Sequence, residues 1–183
     1  MKPRFSRTRL WDLLALALIA FVLWKIFVAP RALIAAGAHP APRAVFARLD
    51  GAPFRVADQR GRLLFLDFYA SWCEPCKIEL PLVESWAKQH PDAIVVPVDV
   101  AEPPAVVRAF AHQYGLADVA LDPSGSARGI FSLAGFPTVV VVDPSGHIRA
   151  TWEGLNPAIS MAMTSAEQTL GAPPRLPKQP RRP

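Results

Sequence analysis

The longest apolar run, Leu10 to Val28, is a 19-residue stretch broken only by Asp12 near one end and Lys25 near the other. As a helix it reaches about 28 Å, close to the hydrocarbon thickness of a bilayer. No polar face interrupts Leu13 to Trp24, so a helix half-buried on a soluble core fits poorly. Pro30 to Arg43 is rich in Ala and Pro without periodicity, the composition of a tether. From Phe54 onward, short apolar runs alternate with helical spacings. Phe54–Val56 followed by Gln59-Arg60-Gly61 predicts a short strand and a turn. Leu63 to Tyr69 (LLFLDFY) is nearly all apolar, as a strand covered on both faces requires. Glu74 to Gln89 predicts a helix with Ile78, Leu82, Val83 and Trp86 on its buried face and a kink at Pro81.

Ala93 to Val98 predicts another buried strand, and Pro104 to Tyr114 a helix with Val106, Val107, Phe110 and Tyr114 on one face. Ser126 to Leu133 predicts a short helix. Thr138 to Val142 is a β-branched strand ending in the turn Asp143-Pro144-Ser145-Gly146, with His147 to Trp152 returning beside it. A last helix starts at Asn156 or Pro157 and runs to Leu170. Strands alternating with helices predict an α/β domain, a central sheet with helices on its faces. After Gly171 the tail APPRLPKQPRRP has nothing to pack and reads as disordered.

Composition narrows the classes. The chain's 183 residues hold one domain plus extensions, and 51% hydrophobic against 19% charged residues supports a folded core. The 20 prolines show no period, which excludes a collagen-like chain. The net charge of +5 resides in the ends: residues 1–38 carry +5, residues 172–183 carry +4, and residues 39–171 carry −4. A mildly acidic domain without a basic stripe excludes nucleic acid as a partner.

Lys2, Arg4, Arg7 and Arg9 precede the apolar run, and Trp11 and Trp24 sit near its ends, where indoles prefer the membrane interface. The positive-inside rule then keeps residues 1–9 in the cytoplasm, makes residues 10–28 a transmembrane anchor and exports the rest. A cleaved signal peptide is the alternative, with Ala36-Gly37-Ala38 as its small-residue site. The length of the run favours a retained anchor. Either reading places the domain outside the cytoplasm, where disulfides persist.

The chain has two cysteines, both in Trp72-Cys73-Glu74-Pro75-Cys76, between a buried strand and a helix start. Unsatisfied N–H groups and the helix dipole favour a thiolate there, so the Cys73 pKa is expected below the free value of about 8.5. Pro75 suits the first helical turn. Two intervening residues let Cys76 reach back and resolve a mixed disulfide formed on Cys73. Three other readings compete. A permanent disulfide closing so short a loop stabilises little. A zinc site needs two more ligands, and His39, His90, His112 and His147 lack ligand spacing. Two idle thiols this close are uncommon in an exported chain.

Neighbouring residues add detail. Asp67 lies inside LLFLDFY, six positions before Cys73; a carboxyl buried there has a raised pKa and suits proton exchange with Cys76. A strand-end Asp bonded to backbone is the plainer alternative. Glu74 places negative charge beside the attacking sulfur and disfavours its thiolate. Glu79, one helical turn after Cys76, is either a second proton partner or an ordinary surface glutamate. Pro137 opens a β-branched run where proline costs no ladder bond, and the sequence leaves open whether its peptide is cis.

The stretch DFYASWCEPC with Lys77 and Pro81, the segment Gly135-Phe136-Pro137-Thr138, and the extra strand and helix around Val95 to Leu121 resemble the thioredoxin superfamily. Within it, the chain is similar to the membrane-anchored TlpA/ResA-like thiol:disulfide oxidoreductases of bacteria, over roughly residues 45–170 of a domain bounded at 45–171. The resemblance implies a thioredoxin-like fold, a mixed sheet flanked by helices. It implies that Pro137 is cis and faces the pair, that Phe136 offers backbone to an extended substrate, and that Asp67 and Glu79 are active-site acids. Trp72, Glu74, Pro75 and Thr138 flank the same face and are expected to meet substrate. Cofactors are not implied beyond the Cys73–Cys76 disulfide. Expected partners are protein disulfides and a transmembrane electron donor, with service in cytochrome c maturation or copper-site assembly. Two rivals stay open: an oxidase or isomerase using the same chemistry, and a non-catalytic module binding copper through the pair.

Overall fold

A computed structural model describes residues 7–27, with side chains at 11–22 only, and residues 39–171. The chain divides into two units, residues 1–33 and 34–183. In the first, α1 (Arg7–Phe27) covers all but the last residue of the predicted anchor. Among the described residues no helix is long and apolar enough to cross a membrane; Val28, the last residue of the predicted anchor, and the tail beyond Gly171 lie outside them.

The second unit is built on one sheet. Its strands are β1 (His39–Pro40), β2 (Val45–Arg48), β3 (Pro53–Arg55), β4 (Leu64–Tyr69), β5 (Ile94–Val100), β6 (Ala120–Asp122), β7 (Thr138–Val142) and β8 (His147–Glu153). They lie in the order β1-β8-β7-β4-β5-β6-β2-β3. The helices are α2 (Glu74–Gln89), α3 (Pro104–Tyr114), the single turn α4 (Ala127–Ile130) and α5 (Ile159–Leu170). β4 pairs in parallel with β5 and antiparallel with β7, so the sheet is mixed and β4 lies at its centre. Two short strands and a stretch of the predicted tether join it: His39 pairs with Ile148 and Pro40 with His147, so order begins before residue 45.

Side chains alternate across β4 and divide the core. Leu64, Leu66 and Phe68 pack with Val96, Val98, Val140 and Phe131 on one face. Phe65 packs on the other with Val83 and Trp86 of α2 and with Ile159 and Met163 of α5. Tyr69 joins Cys73, Cys76, Leu80, Val107 and Phe110 in a third cluster at the end of the strand. The odd positions of β4, Asp67 among them, therefore face α2.

The α2 helix keeps its predicted bounds and continues through Pro81. Its buried face differs from the expected one. Ile78 and Leu82 are exposed, whereas Cys76, Glu79, Leu80, Val83, Glu84 and Trp86 are buried. On α3, Val107 and Phe110 are buried but Val106 is exposed. α5 starts later than predicted, because the Asn156 side chain first accepts from Ala158 N–H in a turn.

Candidate active site

The β4 strand ends at Tyr69, and the chain turns through Ala70-Ser71-Trp72 into α2. The turn closes where Cys73 N–H donates to Ala70 C=O at 3.0 Å. Cys73 is the N-cap of α2: its Sγ accepts the Cys76 N–H at 3.2 Å, and Pro75 sits in the first turn as predicted. A sulfur at this cap receives an otherwise unsatisfied helix donor, an arrangement that favours the thiolate. The two cysteines are joined as a disulfide. Cys76 is sealed at 0% exposure, and Cys73 keeps a 4% window to solvent. Of the pair, Cys73 alone keeps any exposed surface.

Asp67 lies on the α2 side of β4, fully buried, and neither carboxylate oxygen has a hydrogen-bond partner among the described residues. Burial first, then the charges of Glu79 and Glu84, hold its pKa well above the carboxylate range. The backbone-bonded alternative is excluded. Glu79 is not a surface residue either: it is 1% exposed, and its Oε2 accepts Asn156 N–H at 2.7 Å, tying α2 to the segment before α5. Burial raises the Glu79 pKa, and the Asn156 hydrogen bond opposes the shift. Glu84 is a third buried carboxyl on α2, also raised by burial and opposed by Lys88.

The Phe136–Pro137 peptide is cis, Pro137 C=O accepts Gly154 N–H at 2.8 Å, and Phe136 packs against the cluster that holds Cys73 and Cys76. Trp72 is 64% exposed and meets the edge of Phe136 at 6.0 Å, while the Arg128 guanidinium lies 4.5 Å from the Phe136 ring centroid. Trp72 and Phe136 form an aromatic rim beside Cys73, with the Arg128 cation at its back. Two expectations change. Thr138 is fully buried and its hydroxyl donates to Gly135 C=O at 2.9 Å, so it holds the proline loop and cannot meet a substrate. The exposed carboxylate of Glu74 pairs with Lys77 at 2.5 Å, which offsets the negative charge it places near Cys73.

A second buried network escaped the sequence reading. Glu102, 9% exposed, accepts Ser71 N–H at 2.5 Å and the Ser71 hydroxyl at 2.6 Å. Asp99 and Tyr69, paired across β4 and β5, are buried beside it. The signal was available: Asp99 interrupts the apolar strand IVVPVDV just as Asp67 interrupts its own. Among the described residues, no three His, Cys, Asp or Glu side chains are gathered to hold a metal ion.

A helix-capping cysteine bonded to a sealed second sulfur, with a buried acid behind it on a thioredoxin-like sheet, defines a thiol:disulfide oxidoreductase, an enzyme whose substrates are protein disulfides. Residues 38–151 match the AhpC/TSA family, and the chain belongs to it. Thiol-disulfide oxidoreductase ResA of Geobacillus thermodenitrificans (strain NG80-2) is 29% identical over 142 residues, covering 75% of this chain and 80% of that protein. ResA of Bacillus subtilis (strain 168) is 29% identical over 147 residues, 79% of this chain and 81% of its own length. Among solved structures, a putative thiol:disulfide interchange protein DsbE from Chlorobium tepidum superposes with a TM-score of 0.68 at 26% identity, covering 73% of this chain and 97% of that one. The enzyme is thus of the ResA/DsbE type.

Proposed function

We propose that this enzyme is a reductase of protein disulfides, held at the outer face of a bacterial inner membrane by α1 and kept reduced by a transmembrane electron donor. Its clients are proteins whose thiols must be free before cytochrome c maturation or copper-site assembly. Cys73 thiolate attacks a substrate disulfide, and one substrate sulfur leaves as a thiol. Cys76 gives its proton to Asp67, with Glu79 assisting, then attacks the Cys73 sulfur; the second substrate thiol departs and the Cys73–Cys76 bond reforms. A buried carboxyl with a raised pKa is a stronger base than an ordinary carboxylate, so it takes the thiol proton at a lower cost. Phe136 and cis-Pro137 align an extended substrate segment over Cys73, with Trp72 and Pro75 alongside. The asymmetry of the pair carries this reading: the cysteine whose sulfur caps the helix is also the one of the two that keeps some exposed surface.

The anchor is supported by the sequence around α1 and by its Trp11, Leu13, Leu16, Leu18 and Ile19 side chains, all exposed in a helix apolar on every side. The test uses the full chain and its reduction of insulin disulfides. Cys73→Ser is expected to abolish activity and Cys76→Ser to accumulate a mixed disulfide. A reduction potential below about −200 mV supports the reductase direction, and one near −120 mV overturns it.

A further inference from the structure

The loop that carries Cys73 is held by a residue outside the dithiol machinery. Glu102 follows β5 by two residues and reaches across to the β4–α2 turn, where its two oxygens take the Ser71 N–H at 2.5 Å and the Ser71 hydroxyl at 2.6 Å. Ser71 stands two residues before Cys73, inside the turn closed by Cys73 N–H and Ala70 C=O. A bidentate, charge-assisted grip fixes both the position and the rotation of its target.

The backbone is bent to make this grip possible. Ala101, between Asp99 and Glu102, has a φ of +69°, a left-handed conformation unfavourable for an L side chain. It is pinned by Ala101 N–H donating to Asp122 C=O at 2.8 Å. Strain of this kind persists where the surroundings dictate it, and here it coincides with the delivery of Glu102 to the active-site turn.

We propose that Glu102 is a positioning residue for thiol–disulfide exchange: by gripping Ser71 it fixes the turn that presents the Cys73 sulfur to substrate. The proposal rests on Cys73 being the attacking sulfur.

Asp99 completes the device. It is 1% exposed, and neither of its oxygens has a hydrogen-bond partner among the described residues. Burial first, then the neighbouring Glu102 carboxylate, pushes Asp99 up to about 8. Burial pushes Glu102 upward too, but its neighbour Asp99 and the two hydrogen bonds from Ser71 outweigh it and leave its pKa lowered. At neutral pH, Glu102 is therefore the ionised partner that holds Ser71. The other groups facing the pair are Tyr69 from β4 and Asp122 from β6; Tyr69 is raised chiefly by burial and also feels Asp67 and, from α2, Glu84. When Asp99 ionises, Glu102 gains a second negative charge beside it, and the grip slackens.

The experiment compares full-length wild type with Glu102→Ala, Glu102→Gln, Ser71→Ala and Asp99→Asn. It reads kcat/KM for insulin reduction and the rate of iodoacetamide alkylation of reduced Cys73 from pH 5 to 10, with folding checked by near-UV circular dichroism. Glu102→Ala is expected to lower kcat/KM about tenfold, since a small misplacement of a reacting atom costs that much or more. Glu102→Gln keeps one acceptor and is expected to recover to within about threefold of wild type; Ser71→Ala removes one of the two bonds and is expected to fall about threefold. The wild-type alkylation profile is expected to break near pH 8, and Asp99→Asn, which carries no charge at any pH, to remove the break. Should Glu102→Ala fail to fold, Glu102→Gln and Ser71→Ala carry the comparison. Wild-type kcat/KM and alkylation profiles in the folded Glu102 and Ser71 variants overturn the proposal. Full activity in a Cys73→Ser control overturns the assignment of the attacking sulfur instead.

Discussion

Replacing Asp99 by Asn should change how stability depends on pH, and the structure sets both the sign and the size. Asp99 is raised from 3.8 to about 8 in the folded protein. Between those values the native state holds a proton that the unfolded chain has released. Stability from this group is complete below the unfolded pKa and is lost as pH rises through the folded one. Each pH unit in that window is worth 1.36 kcal/mol, so the wild type should lose about 3–4 kcal/mol from Asp99 between pH 5 and pH 8. Glu102 has the opposite sign, but its lowered pKa confines its contribution to pH values below about 4.5, outside the interval. Asp67, Glu79 and Glu84 also slope downward, yet they are common to both proteins and largely cancel in the difference. Asn has no charge to bury, and any fixed cost of the substitution cancels between two pH values. Guanidinium unfolding of the oxidised chain at pH 5, 6, 7 and 8 measures the effect. The two curves should diverge by the stated amount, and curves parallel within about 0.5 kcal/mol would refute the burial argument.

Asp67→Asn should slow resolution of the Cys73 mixed disulfide ten- to a hundredfold, read by quenching single turnovers, because it removes a positioned proton acceptor; unchanged decay of the intermediate would place the proton elsewhere. Phe65 is fully buried, with ring centroids 5.2 Å from Trp86 and 6.3 Å from Trp152, so Phe65→Ala should cost about 3–5 kcal/mol in denaturant unfolding. Trp72 is largely exposed, so Trp72→Ala should shift stability by less than about 0.5 kcal/mol while raising KM for insulin and leaving the reduction rate of a small disulfide unchanged.

The central elements were legible because their residues obey one period. LLFLDFY and TVVVV are apolar at nearly every position, and only a strand covered on both faces accommodates that. The reading of α2 went astray for a reason tied to the chemistry. Apolar spacing assigned Ile78 and Leu82 to the core, but Glu79 and Glu84 occupy the buried positions, displacing the expected pattern from the helix face. A site that needs carboxyls in low dielectric must break the rule by which buried faces are recognised. β1, β2 and β6, at two, four and three residues, are too short to display alternation, and their pairing is dictated by neighbours. Ser71 and Glu102 are 31 positions apart, and nothing local in either segment announces their bond.

The two margins of the sheet come from one short length of chain, residues 39–55. His39-Pro40 ends one side and Pro53-Phe54-Arg55 the other, each too brief to template a long foreign strand and each containing a residue with no N–H to offer. An oxidoreductase meets clients whose unpaired backbone seeks hydrogen bonds, and a bare ribbon edge would invite them to stick and accumulate. With its flanks blunted in this way, the protein can handle partly folded visitors without becoming a seed for their aggregation.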